Sequence, residues 1–167
     1  LHASLAPSEM CIRDRSMGGM IAQEIVRMDS DLVNCLILAG TGPRGGFEMD
    51  KVTGKTFKYM FKAALERIDP KRYIFYNHDE QGKVEALKVL DRMGARTEEF
   101  KDKDMKIAGF LAQLKAIKAW GQAPQDDLKY ITQPTLIVNG DKDMQVPTEN
   151  SYACLLYTSL MARGRRV

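Results

Sequence analysis

Leu32-Val33-Asn34-Cys35-Leu36-Ile37-Leu38-Ala39-Gly40 is an aliphatic and β-branched run of strand length closed by glycine, the pattern of a strand buried on both faces. A second such run, Pro134-Thr135-Leu136-Ile137-Val138, ends in Asn139-Gly140-Asp141. Ahead of the first, MGGMIAQEIVRM (17–28) sets Met20, Ile21, Glu24, Ile25 and Met28 at helical spacing, which predicts a short amphipathic helix with its apolar face on those positions. Beyond the second, Pro147 and Thr148 start a further helix, with Thr148 as its N-cap. Buried strands alternating with helices imply an α/β protein with a parallel sheet.

The stretch between the two runs is much longer than the ~2–6 residues of an ordinary connection. FKYMFKAALERI (57–68), GKVEALKVLDRM (82–93) and KIAGFLAQLKAIKAW (106–120) repeat apolar residues at three and four, with Asp69-Pro70 and Gly94 as punctuation. Residues 47–124 are therefore expected to be a helical subdomain on the sheet. KDKDMK (101–106) is alternating charge on a solvated face.

The two ends of the chain are related to each other through their codons. One allowed coding of residues 1–14, LHASLAPSEMCIRD, has a reverse complement that translates to CLLYTSLMARGRRV, residues 154–167 letter for letter. Opposite strands of one DNA segment at both ends are what a ligated sequencing adapter produces, and folding gives no reason for them. The expectation is an internal fragment of a longer protein: 1–15 and 154–167 adapter-derived, 16–46 and 125–153 core, 47–124 insertion. Setting aside Arg13, Arg15, Arg163, Arg165 and Arg166 with Glu9 and Asp14 leaves 20 basic and 20 acidic residues of the chain's 25 and 22. The mild basicity of the whole chain then vanishes, and with it any argument for a nucleic-acid partner. Cys11 and Cys154 fall in the tails, so Cys35 is expected as a buried thiol and not as a disulfide or metal ligand. His78 is the one histidine outside the tails.

Composition adds bounds. With 44% hydrophobic and 28% charged residues the chain is of the soluble globular type. No apolar run reaches the ~20 residues of a membrane span, and a cytoplasmic protein is expected. Metal-ligand spacing, a phosphate loop and a dinucleotide fingerprint are all missing, so neither cofactor nor metal is expected. The oligomeric state is left open.

Chemistry concentrates at two places. Ser16-Met17-Gly18-Gly19 opens a helix and matches the second half of a G-x-S-x-G nucleophile elbow; Asp14 stands where the first glycine belongs. In isolation, a serine before a helix is more often an N-cap. Gly140-Asp141-Lys142-Asp143-Met144-Gln145-Val146-Pro147 follows a buried strand, at the edge of an α/β sheet where ligand-facing residues collect. By itself it is more often a polar turn, and Asp141 is expected to be that turn residue.

Together, SMGGMIAQEIV, LILAGTGPRGG, AQLKAIKAWG and PTLIVNGDKDMQVP resemble the α/β-hydrolase superfamily, in particular its lidded serine esterase and haloperoxidase-like branch, over essentially all of 16–153. The resemblance implies a serine hydrolase acting on an ester, thioester or related acyl bond of a small-molecule substrate. Ser16 is then the nucleophile, Met17 the source of one oxyanion-hole N–H, and Asp143 the triad acid by its place in G-x-x-D-x-x-V-P. The family's histidine follows the next strand, which places it beyond Ala153, so the fragment itself is expected to be inactive. Only two core strands are evident, and none is expected before Ser16 to support the elbow. His78 precedes Asp143, against the family order of serine, acid, histidine, and is expected to be a surface or lid residue. Met60, Phe61, Phe110 and Trp120 are candidates for a substrate pocket, with ordinary helix packing as the bland reading. Two alternatives stand beside the esterase: a C–C bond hydrolase, and a hydrolase-fold protein that binds or senses a small ligand without turnover.

Overall fold

A computed structural model describes residues 11–95 and 106–157. The outer parts of both tails and the charged stretch 101–105 lie outside them. In chain order the elements are β1 (Cys11–Arg15), α1 (Met17–Met28), β2 (Cys35–Ala39), α2 (Val52–Glu66), α3 (Lys71–Ile74), α4 (Glu80–Gly94), α5 (Ile107–Gln122), β3 (Thr135–Val138) and α6 (Glu149–Tyr157). The strands form one parallel sheet in the order β1-β2-β3. This is the α/β architecture expected from sequence, with the long helical segment between β2 and β3.

β1 corrects the expectation of two strands and an unsupported Ser16. Residues 11–15 pair with 35–39 in register, and the Ser16 N–H donates to the Ala39 carbonyl at 3.0 Å. A parallel ladder is made by backbone groups, so a strand can form where the apolar pattern used to find strands is absent. β2 is shorter than the apolar run that announced it. A 3-10 turn over Ser30–Leu32, in which Asp29 accepts from the Asp31 N–H, takes up its start. Cys35 is half-buried and disulfide-bonded, not a free thiol.

The face of α1 also differs from expectation. Gly19, Met20, Ala22, Gln23 and Val26 are buried, whereas Ile21 is 50% and Met28 84% exposed. Gln23 explains the rotation: its side-chain amide donates to the Gly19 carbonyl at 3.0 Å and the Gly42 carbonyl at 3.2 Å, so a polar residue occupies the inner face with its donors satisfied. Gly19 sits so close that a Cβ there would lie 2.6 Å from the Thr41 side chain. The helix start is thereby pressed onto the loop that follows β2.

Two apolar clusters hold the layers together. Ala22 and Val26 of α1, Leu36 and Leu38 of β2, Leu128, Ile131 and Cys154 form one, and burial pushes the Cys154 thiol up to about 12. Met20, Met49, Val52, Ile117 and Val146 form the other, joining α1, α2 and α5 to the loop after β3. Each fully buried side chain of this size contributes roughly 1.5–3 kcal/mol. Gly121 lets α5 touch the start of α2, since a Cβ there would come within 2.2 Å of the Asp50 nitrogen.

Two helical glycines should therefore respond oppositely to one methyl group. Gly54, in α2, has nothing within 4 Å of an added Cβ, and Gly54→Ala should raise the unfolding free energy by about 0.5–1 kcal/mol. Gly121→Ala should lower it by roughly 1–3 kcal/mol through the backbone clash. Urea titrations of the two variants measure both, and a stabilised Gly121→Ala would contradict the packing described.

Candidate active site

Ser16 stands between β1 and α1 at φ 54°, ψ −121°, backbone territory that a residue with a Cβ enters at a cost of about 1–3 kcal/mol. It does not cap α1 with its side chain, so the ordinary N-cap role does not explain a serine here. The strand hydrogen bond to Ala39 fixes it from one side, and its own carbonyl accepts from the Gly19 N–H at 3.0 Å on the other. The side chain is exposed. Met17 is the first residue of α1, and the first N–H groups of a helix have no partner within it.

The sheet places the next two strand ends beside this serine. Arg15 is level with Ala39, and Ala39 with Val138, so Ser16, Gly40 and the loop 139–147 leave the same edge. Gly40, at φ 53°, turns the chain where a Cβ would stand 3.6 Å from Asp143 Oδ2. Asp143 is half-buried; its Oδ1 accepts from the Gln145 N–H at 2.8 Å and the Val146 N–H at 3.0 Å. One oxygen is thus held by backbone, and the other lies toward Gly40 and the sheet edge. Asp141 is exposed, and its carbonyl, with that of Gly140, accepts from the Thr148 hydroxyl. Thr148 therefore ties the start of α6 to this loop.

Ser16 and Asp143 line one cavity of about 540 Å³. The sheet edge contributes Arg15, Ser16, Gly40 and residues 140–146 to its lining, and the helical segment contributes Ile74, Phe75, Tyr76 and Asn77, with Gln81, Gly82 and Glu85 of α4. Met60, Phe61, Phe110 and Trp120 are not among the lining residues. Phe61 is 69% exposed. Trp120 packs beside Met20, Met49 and Val146, donates its indole N–H to the Gly42 carbonyl at 3.2 Å, and lies under the Arg44 guanidinium.

The wall at 74–77 is a built turn that periodicity did not reveal. Arg72, itself buried, donates to the Asn77 carbonyl at 2.7 Å and the Asp79 carbonyl at 3.3 Å. Asp79 caps α4 by accepting from the Gly82 N–H at 2.7 Å, and Gly82 abuts Asn77 too closely for any Cβ. His78 is held by its own neighbours. Its Nε2 is 3.0 Å from the Tyr73 carbonyl, its ring is edge-on to Tyr59 and Tyr73, and it is not a lining residue. The available signal was compositional: YIFYNHD (73–79) is an aromatic-rich break between helical patterns. Among the described residues no group of three or more His, Cys, Asp or Glu side chains is placed to hold a metal ion.

The strain at Ser16 is measurable on its own. Ser16→Gly should raise the unfolding free energy by about 1 kcal/mol, the relieved backbone cost less the greater freedom of unfolded glycine. Ser16→Ala keeps the Cβ and should give no such gain. Equal stability of the two variants in urea would mean that the elbow is unstrained.

No protein-family model and no curated protein matches the chain. Solved structures do. An α/β-hydrolase fold protein from Chitinophaga pinensis superposes with a TM-score of 0.74 at 27% identity, covering 85% of this chain and 50% of that one. Rv0554 from Mycobacterium tuberculosis matches with a TM-score of 0.55 at 18% identity, covering 86% of this chain and 52% of that one. The chain thus spans about half the length of the solved structures it matches. With three parallel strands, a long helical segment and this topology, the chain has a partial α/β-hydrolase fold.

Proposed function

We propose that the chain is the central part of a serine hydrolase that cleaves an ester, thioester or related acyl bond. The observation that carries this reading is that Ser16, in a positive-φ turn between strand and helix, and Asp143, in the loop two strands away, line the same cavity. A serine used only as a helix cap has no need of that backbone.

In the proposed reaction Ser16 Oγ attacks the substrate carbonyl carbon while a histidine takes its proton. The tetrahedral oxyanion is met by the Met17 N–H. Collapse expels the alcohol or thiol, which receives the proton from the histidine, and water then releases the acid from Ser16 by the same route. Preorganised donors at such an oxyanion are worth several kcal/mol. Asp143 would hold the histidine with the carboxylate oxygen that Gln145 and Val146 leave unused. The histidine itself is proposed to come from sequence following Ala153 in the intact protein. His78 is not proposed for that role, because its Nε2 is engaged with the Tyr73 carbonyl and it is not among the residues that line the cavity. The helical segment 47–124 is proposed as a lid whose turn 74–77 faces the reacting acyl group.

The test is made in the intact protein with short-chain p-nitrophenyl esters. Ser16→Ala should abolish turnover, and Asp143→Asn should lower kcat by orders of magnitude, as variants that leave the histidine in the wrong tautomer do. Asp141→Asn should have a far smaller effect. A crippled Asp141→Asn beside a nearly unchanged Asp143→Asn would overturn the assignment. Saturable binding without turnover in the unmodified protein would favour a ligand-sensing role.

A further inference from the structure

Among the described residues Arg72 is the one charged side chain that is buried, at 9% exposure. A guanidinium in that position is costly unless its donors find acceptors. Here the acceptors are main-chain carbonyls: Nη1 donates to Asn77 at 2.7 Å and Nη2 to Asp79 at 3.3 Å. The planar fork of one side chain thus grips the backbone on both sides of His78, which the single ammonium of a lysine could not do. Arg72 is not itself a lining residue of the cavity.

What the fork grips is the turn that lines the cavity. Asn77 is a lining residue, and so are Ile74, Phe75 and Tyr76 immediately ahead of it. The turn comes close to the serine: the guanidinium of Arg15, the residue before Ser16, stands 5.2 Å from the centroid of the Phe75 ring. Its far end is joined to the loop of the aspartate. His78 is edge-on to Tyr59 with ring centroids 5.2 Å apart, and the Tyr59 hydroxyl lies 3.8 Å from Sδ of Met144, the residue after Asp143. With Gly82 abutting Asn77, the carbonyl that Arg72 holds is also pressed against α4.

We infer that Arg72 is a positioning residue that sets which acyl groups the cavity accepts. The inference rests on the acyl-hydrolase reading and deepens it: the substrate's acyl chain is apolar and long enough to lie along Ile74 and Phe75. Apolar contact of that kind adds to binding only while the turn keeps one shape, because ordering a mobile turn on binding would consume the gain. The Arg72 fork supplies the order in advance, through carbonyls that lie outside any helix or strand. An acetyl group is too short to draw much from the turn, so the effect of Arg72 grows with acyl length.

The test compares p-nitrophenyl hexanoate with p-nitrophenyl acetate in the intact protein, read as the ratio of their kcat/KM values. A variant that only unfolds part of the population lowers both values alike and leaves the ratio where it was. The unmodified protein should favour the hexanoate. Arg72→Met should lower the ratio roughly tenfold, the scale of one lost charge-assisted hydrogen bond. Arg72→Lys reaches one carbonyl but not both; it should recover part of the loss, and it carries the test if Arg72→Met does not fold. Ile131→Ala, in the apolar cluster of α1 and β2, should destabilise the protein without moving the ratio. An unchanged ratio in the Arg72 variants, an equal change in Ile131→Ala, or no preference for the hexanoate in the unmodified protein would overturn this inference and leave the hydrolase reading standing. Absence of turnover of either ester by the unmodified protein would overturn that reading, and this inference with it.

Discussion

Parallel register is the constraint on which the rest depends. Because Arg15, Ala39 and Val138 are level in one ladder, the residues that follow each of them must emerge at the same edge. Parallel strands force long connections, and each connection here does a separate task. α1 after β1 turns Ser16 out of the sheet, the helical segment after β2 supplies a wall, and the loop after β3 brings Asp143 back toward Gly40.

Polar groups buried at that edge keep the three connections from moving independently. The Gly42 carbonyl accepts from both Gln23 of α1 and Trp120 of α5. Asn150 of α6 donates to the Phe47 carbonyl at 2.9 Å. Thr56 of α2 meets Gln145 at 3.4 Å in the Asp143 loop. Such bonds contribute modestly when made, yet leaving one partner buried without them costs more. They couple the helical segment to the sheet edge that carries Ser16 and Asp143 at fixed points, whereas the apolar clusters alone would tolerate sliding. On that scaffold the strained backbone at Ser16 can persist, because strand and helix bonds fix it from both sides.

Much of this was legible in the residues, in the places where local chemistry is decisive. A serine followed by a glycine pair, an aliphatic run closed by glycine, and an aspartate placed before Val146-Pro147 each limit the backbone strongly. β1 was not legible, because its place in the ladder comes from main-chain pairing and its residues, CIRDR, carry no aliphatic run of the kind that marks a buried strand. The inner face of α1 was misplaced because Gln23 counts as polar by type although its buried amide finds two carbonyls. The wall at 74–77 was invisible to periodicity, since it is an irregular turn held by Arg72 and Gly82 through contacts to carbonyls. Phe61 and Trp120 are large and apolar, yet size does not say which way a helix faces.

In the proposed mechanism Ser16 Oγ carries a covalent acyl intermediate formed within this cavity. The most direct measurement is mass spectrometry of the intact protein quenched within the first turnover of a p-nitrophenyl ester. One acyl group is expected on the peptide containing Ser16, formed at the rate of the p-nitrophenolate burst and not formed in Asp143→Asn at that rate. An acyl group on any other residue, or steady turnover with no adduct at Ser16, would contradict it.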